Sequence, residues 1–288
     1  MGMVDEMVKI PKLSYYKKVQ LNLFARSLPA FLIVTLFSMA CSLLLPGEPS
    51  AEDYFYQGNN YLNQGQYVQA IDSYTKAIEL DPQAAQVHNN RGLAYDNQKQ
   101  YDLAIADFTK AIELDPQLAP AYNNRGSVYN SLMKYDLAIS DFDKAVQLEP
   151  QNPMAYRNRG RSYRDQKQYD LAIASHTQAI ELDPQYAPAY YDRGVVYLDK
   201  EQLEQALQDF SKTIQLDPQY SPAYTNRGTI YAQQQQYEQA IADFTHAIQL
   251  NPQDFLAYQN RGLVYQTLGK QKEAEADFQK YKELTGTP

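Results

Sequence analysis

The sequence predicts an all-α solenoid of seven helix–turn–helix units, and three periodic features carry that prediction. Proline recurs every 34 residues at Pro82, Pro116, Pro150, Pro184, Pro218 and Pro252, a period that marks one supersecondary unit copied along the chain. Counted back from these prolines, residues 51–288 divide into repeats 51–84, 85–118, 119–152, 153–186, 187–220, 221–254 and 255–288. The eighth residue of each is glycine (Gly58, Gly92, Gly126, Gly160, Gly194, Gly228, Gly262), and the twentieth is alanine, from Ala70 to Ala274.

Residues 1–50 stand apart in composition. They carry five basic and three acidic residues, against 21 basic and 31 acidic in 51–288. The segment 1–27 holds the basic residues and is expected on the cytoplasmic side. The uncharged run 28–45 is 18 residues long, the low end for crossing a bilayer, so one hydrophobic helix is expected before the array, followed by a linker over 46–50. Three fates stay open for the run. It stays as an anchor, because apolar character continues through Leu43, Leu44 and Leu45; it is a lipoprotein signal, with Cys41 lipidated after Ser38-Met39-Ala40; or it is cleaved after Ala40. Cys41 reads equally as a small apolar residue within a membrane helix. Each fate puts the repeats on the extracytoplasmic, periplasmic side, tethered or released, because basic residues precede the run and Glu48, Glu52 and Asp53 follow it. A single cysteine excludes an intramolecular disulfide.

Within repeat 85–118, His88, Gly92 and Tyr95 mark a first helix, and Ala104, Ile105, Phe108, Ala111 and Ile112 a second, all at helical spacing. The turn Asn97-Gln98-Lys99-Gln100 is short enough to force an antiparallel return. The second helix stops at Leu-Asp-Pro-Gln, because proline disfavours helical backbone in the residue before it. Pro120, Pro153, Pro188 and Pro222 open the following helices, where a missing N–H costs nothing. The glycine and alanine rows are expected at the helix crossing, so that Gly126→Leu overpacks it by about 1–3 kcal/mol. Tyrosines such as Tyr122, Tyr129 and Tyr135 are expected to fill the grooves beside it.

One charge pairing is periodic as well. The seventh residue is arginine in repeats two to seven (Arg91, Arg125, Arg159, Arg193, Arg227, Arg261), and sixteen residues later stand Asp107, Asp141, Ser175, Asp209, Asp243 and Asp277. Repeat one lacks both, with Gln57 and Ser73. An Arg–Asp bridge between the two helices of each repeat is the expectation. In the last repeat, Glu275 and Lys282 replace aliphatic residues two helical turns apart. They read as the polar outer face a terminal repeat needs, and the chain is expected to end there with no appended domain.

Taken together, these rows, with tyrosine three residues after the glycine, Phe108, Phe142, Phe210, Phe244 and Phe278 near the twenty-fourth position, alanine at the twenty-seventh and proline at the thirty-second, resemble tetratricopeptide repeats. The resemblance covers 51–288. Departures are His176 and Tyr74 for Phe, Thr213 and Tyr281 for Ala, and Gly286 for the last Pro. It implies a right-handed superhelix whose first helices line a concave groove that receives protein partners. The style of the repeats resembles bacterial, cyanobacterial-like proteins of this family.

Composition and motifs narrow the function. An acidic array opposes nucleic acid and anionic headgroups. His88, His176 and His246 fall at three different repeat positions without cysteine partners, so neither a metal site nor a catalytic triad assembles from them. Asp81, Asp115, Asp183 and Asp217 recur before the prolines and read as helix-terminus residues. No Gly-rich phosphate loop occurs. The expectation is a non-enzymatic protein with no cofactor and no metal.

By the resemblance, Asn90, Asn124, Asn158, Asn226 and Asn260, with Asp192 in the same row and Tyr56 opening it, face the concave side. A carboxamide is both donor and acceptor, so the row can hold the backbone of an extended peptide, or it can tie neighbouring helices. Arg157, Arg161 and Arg164 share one face of the first helix of repeat four, beside Tyr191, Val195 and Leu198 of repeat five. That combination suits a carboxylate or phosphate next to a hydrophobic side chain, unless Asp165 and Asp192 neutralise the arginines. The family's carboxylate clamp needs basic residues where this chain has Phe55, Asn59, Asn89 and Pro120, so chaperone-tail docking is not expected. The resulting expectation is a scaffold in a membrane or envelope complex. The rival is self-association, or packing on a membrane neighbour, through Tyr54, Phe55 and Tyr56 with the groove empty.

Overall fold

A computed structural model describes residues 48–286. The chain divides into two units, 1–50 and 51–288. The expected hydrophobic helix over 28–45 and Cys41 lie outside the described residues. Among the described residues, no helix is long and apolar enough to cross a membrane.

Residues 51–285 form fourteen α-helices in seven hairpins and no strand. The first helices are α1 (Ala51–Asn63), α3 (Ala85–Asn97), α5 (Ala119–Ser131), α7 (Pro153–Asp165), α9 (Ala187–Asp199), α11 (Ser221–Gln233) and α13 (Phe255–Thr267). The second helices are α2 (Tyr67–Leu80), α4 (Tyr101–Leu114), α6 (Tyr135–Leu148), α8 (Tyr169–Leu182), α10 (Leu203–Leu216), α12 (Tyr237–Leu250) and α14 (Gln271–Thr285).

Each hairpin turn closes by one device. After α5, Lys134 N–H donates to the Tyr129 carbonyl at 2.8 Å and Met133 N–H to that of Asn130 at 2.9 Å, a Schellman motif with Met133 in the left-handed region at φ 58°. The fifteenth residue of every repeat holds this conformation: glycine at Gly65 and Gly269, but Lys99, Met133, Lys167, Glu201 and Gln235 elsewhere. At the other end of the hairpin, Asp115 takes extended backbone at φ −135° and ψ 93°. Its carboxylate accepts the Gln117 N–H at 2.9 Å, spanning the proline as an Asx turn. Asp81, Asp183, Asp217 and Asn251 do the same, which gives the pre-proline carboxylates their helix-terminal role.

Packing refines the reading of the glycine row. Each glycine lies under the ring of the twenty-fourth residue of its own repeat. A Cβ at Gly126 would sit 2.9 Å from the Phe142 ring, and one at Gly92 would sit 2.7 Å from Phe108. The row therefore admits an aromatic side chain into the hairpin interior, where Phe108, Phe142, Phe210 and Phe244 are fully buried. The tyrosines differ from expectation too. Tyr122 and Tyr129 are half-buried and flank the Arg125 guanidinium, 5.9 Å from each ring centroid, one turn before and after it on the helix.

The Arg–Asp bridges are present and reach further than two helices. Arg125 grips Asp141 through two hydrogen bonds of 2.8 Å, and its third arm donates to Thr109 of the preceding repeat at 3.0 Å. Arg91, Arg193, Arg227 and Arg261 repeat the pattern with Thr75, Thr177, Ser211 and Thr245. Repeat four departs from it: Arg159 meets the Ser175 hydroxyl at 3.2 Å and takes its carboxylate from Asp143, at 2.7 Å, in the preceding repeat. The missing charge has moved across the repeat boundary.

Neighbouring first helices touch one another along most of the array, whereas no comparable contact joins the second helices. The array therefore curves with the first helices on its inner side. Glu275 and Lys282 on α14 are exposed.

Candidate binding groove

The predicted carboxamide row runs along the inner helices, each member half-buried. Every amide nitrogen in it reaches back one repeat: Asn90 to the Asn59 carbonyl oxygen at 2.9 Å, Asn124 to Asn89 at 3.0 Å and Asn158 to Asn123 at 3.1 Å. Asn226 donates to the Tyr191 hydroxyl and Asn260 to Thr229, both at 3.1 Å. Asp192, in the same row, accepts from Arg157 Nε at 2.6 Å. The donors thus tie successive helices. The side-chain carbonyl oxygens of Asn124, Asn158, Asn226 and Asn260 take no hydrogen bond among the described residues, which leaves their acceptor capacity unused.

The arginines and the apolar triad come together. Arg157, Arg161, Arg164, Tyr191, Val195 and Leu198 line one cavity of about 540 Å³ between α7, α9 and α11. Its electrostatics differ from the sequence expectation. Asp192 pairs with Arg157, but the partner of Arg164 is Asp199 at 2.6 Å, while Asp165 faces Asn130 instead at 3.5 Å. Burial works against the charge of Arg157 and Arg164, and the adjoining carboxylates outweigh it, raising both above the ordinary guanidinium value. Burial pushes the Asp192 carboxyl up, with Arg157 opposing it. Arg161 is exposed and has no hydrogen bond or ion pair among the described residues.

Besides Asp199, sequence reasoning missed Tyr220 among the lining residues. It closes the linker before α11, and its ring packs against that of Tyr191, centroids 4.9 Å apart and planes tilted by 48°. Burial raises both phenols, Tyr191 to about 12. The available signal was its place as last residue of repeat five, directly between the tyrosine-bearing and asparagine-bearing helices. Beside the cavity, a smaller polar hollow of about 120 Å³ is lined by Ser127, Asn130, Ser131, Asn158 and again Arg161.

The histidines have structural roles. His88 lies 3.3 Å from both Asp107 and the Pro82 carbonyl. His246 stacks on Tyr224 at 4.4 Å. His176 is fully buried, and neither ring nitrogen has a partner. Among the described residues, no group of three or more His, Cys, Asp or Glu side chains is placed to hold a metal ion.

A curved stack of helical hairpins with a continuous inner face defines the class of repeat scaffolds. Tetratricopeptide-repeat models match residues 85–118, 119–152 and 187–220, and related repeat models match 58–99, 160–200 and 228–269, 142–174 and 210–242, and 256–287. The matches run unbroken from 58 to 287, and the chain belongs to the tetratricopeptide-repeat family. A stretch of 38 residues is 55% identical to serine/threonine-protein phosphatase T of Schizosaccharomyces pombe, spanning 13% of this chain and 8% of that protein. Among solved structures, YrrB, described as a TPR protein with an unusual peptide-binding site, is 29% identical with a TM-score of 0.50. The similarity covers 64% of this chain and 95% of that one. PilF of Pseudomonas aeruginosa is 21% identical, TM-score 0.65, over 71% of this chain and 93% of its own. Cut9, from the APC/C tetramer Cut9–Hcn1, is 18% identical with a TM-score of 0.68, over 82% and 46% respectively. The last two share the fold.

Proposed function

We propose that this protein is a non-enzymatic interaction scaffold whose inner helical face binds an extended segment of a protein partner. One observation carries the reading. The carbonyl oxygens of Asn124, Asn158, Asn226 and Asn260 form a half-used row, fixed in position by their own amide nitrogens, which already bond the preceding helix. Acceptors held rigidly at repeat spacing suit the regularly spaced N–H groups of an extended backbone, with little side-chain entropy left to lose on binding. The likeness to YrrB supports the same reading. The test is selection of a random displayed-peptide library on the full chain, repeated with Asn124→Ala/Asn158→Ala. Peptides that bind the wild type and lose affinity for the double variant are expected; peptides indifferent to both substitutions would refute the groove.

The tether, the extracytoplasmic location and a role in assembling a membrane or envelope complex belong to the same proposal. They rest on the uncharged run 28–45 and the flanking charges. Protease added to intact cells should digest the repeats only after the outer barrier is opened. A second reading, self-association through the first repeat, draws on the cavity of about 430 Å³ lined by Ala51, Phe55, Ala84 and Val87 and on Tyr56, 56% exposed. A sedimentation profile independent of concentration would remove it.

A further inference from the structure

We propose that the cavity between α7, α9 and α11 is the specificity site of the groove, and that it selects an aspartate or glutamate side chain next to an apolar residue within the partner's extended segment. This rests on the groove reading above and adds the chemistry of its ligand. The charge inventory decides the class. Arg157 and Arg164 are each committed to a carboxylate at 2.6 Å, and Arg161, between them on the same helix face, is exposed and makes no hydrogen bond or ion pair among the described residues. The lining balances at three arginines and three aspartates, Asp165 being held only by Asn130 at 3.5 Å; Arg161 is the guanidinium left without a hydrogen-bonded carboxylate, and a single carboxylate matches its planar fork. A phosphate dianion would bring a second charge into a cavity that Asp165, Asp192 and Asp199 also line, where it meets repulsion with no further free cation.

The lining also supplies the apolar half. Val195, Leu198 and the tilted Tyr191–Tyr220 pair line the same cavity as the arginines. The position of the site in the array argues for a side chain over a chain terminus. Asn124 and Asn158 continue the row on one side of it and Asn226 and Asn260 on the other, so a bound segment passes through and does not end there. Arg161 also borders the polar hollow beside Asn158, which places the acidic residue on the repeat-four side and the apolar one on the repeat-five side.

The experiment is a displayed random-peptide selection on the full chain, followed by fluorescence-anisotropy titration of one enriched peptide. The chains titrated are wild type, Arg161→Gln, Arg161→Lys and Asn124→Ala/Asn158→Ala. Enriched sequences should carry an acidic residue adjoining an aliphatic or aromatic one. Replacing that acid by its amide should weaken binding about tenfold, as should Arg161→Gln, with the two changes together costing little more than either. Arg161→Lys should recover part of the loss, phosphoserine in place of the acid should bind no better, and amidating the peptide's C-terminus should change nothing. Enriched peptides without acidic preference, or affinity unmoved by Arg161→Gln while Asn124→Ala/Asn158→Ala abolishes it, would overturn this inference and leave the groove standing. A library from which nothing is enriched would overturn both.

Discussion

His176 offers the sharpest test of the packing, because it is a polar ring in a row built for phenyl groups. It is fully buried beneath Gly160, where a Cβ would lie 2.6 Å from its ring, and both ring nitrogens lack partners. Phe142 occupies the equivalent place over Gly126, so His176→Phe meets a site of the right shape. Removing two unsatisfied nitrogens should stabilise the protein at pH 7 by about 1–3 kcal/mol. Burial, reinforced by Arg157, Arg193, Arg161 and Arg164, lowers the imidazole pKa from 6.5 to about 3. The folded ring therefore stays neutral throughout the mildly acidic range, while the unfolded ring takes up a proton below pH 6.5. A base with a depressed folded pKa costs stability as pH falls from the unfolded to the folded value. By pH 5 that cost is about 2 kcal/mol, approaching about 5 kcal/mol at pH 3. The phenylalanine variant has no such loss. Urea unfolding followed by far-ultraviolet circular dichroism, at pH 7 and pH 5, should show the gap between variant and wild type widening by about 2 kcal/mol on acidification. Comparing the two chains cancels the titration of every other group. A gap equal at both pH values would refute the burial argument.

Other consequences are equally direct. Gly126→Ala places a methyl 2.9 Å from Phe142 and should destabilise by about 1–3 kcal/mol, a cost that Phe142→Leu in the same chain should largely remove in thermal melts. Arg125→Ala and Asp141→Ala each strand a partner in a half-buried two-bond pair and should cost about 3 kcal/mol singly, with a double variant well short of the sum. Asp143→Thr should cost about 1 kcal/mol by stripping Arg159 of its carboxylate, and adding Ser175→Asp should restore the loss by recreating the arrangement of the other repeats. Met133→Gly relieves an L residue at φ 58° whose side chain is 75% exposed. The melting temperature should rise, by the equivalent of about 0.5–1 kcal/mol once the extra freedom of glycine in the unfolded chain is offset.

Period and position made the hairpins legible. Pro116 and Asp115 announce where α4 ends, and Pro120 where α5 begins, because proline acts on backbone dihedrals locally. The Arg–Asp bridge could be read for a similar reason: when repeat one lost Arg it also lost Asp, a correlation visible within one chain. What escaped was geometry between repeats. The Thr109 and Thr245 hydroxyls that receive the third arm of each arginine belong to the neighbouring repeat, so a within-repeat register could not pair them. Lys99, Met133 and Gln235 gave no warning of left-handed backbone, since the residues that favour it stand only at Gly65 and Gly269. In the groove, the row of Asn90, Asn124 and Asn158 was evident. Which half of each amide is engaged depended on partners 31 or 35 residues earlier, beyond any helical spacing.

The departures from the repeat are not spread evenly, and their clustering carries the functional argument. Repeat four holds Ser175 where every repeat but the first has aspartate, His176 where the others have Phe or Tyr, and Arg157, Arg161 and Arg164 on its inner face. Repeat five answers with Asp192 where the row has asparagine, and with Asp199 opposite Arg164. A stack of identical units gains stability from each unit obeying the same rules, so a unit that breaks several at once gives up stability locally. Here the breaks are partly mended across repeat boundaries: Asp143 replaces the missing carboxylate for Arg159, and Asp192 and Asp199 compensate two of the three added arginines. Arg161 is left exposed and without an ion pair among the described residues, lining the same cavity as Tyr191, Val195 and Leu198. Were the irregularity mere drift, an unpaired arginine would be expected as readily on the outer helices as on the inner face. Arg161 stands instead on the inner helix α7, in the lining shared with Tyr191 and Tyr220, as the specificity site proposed above requires.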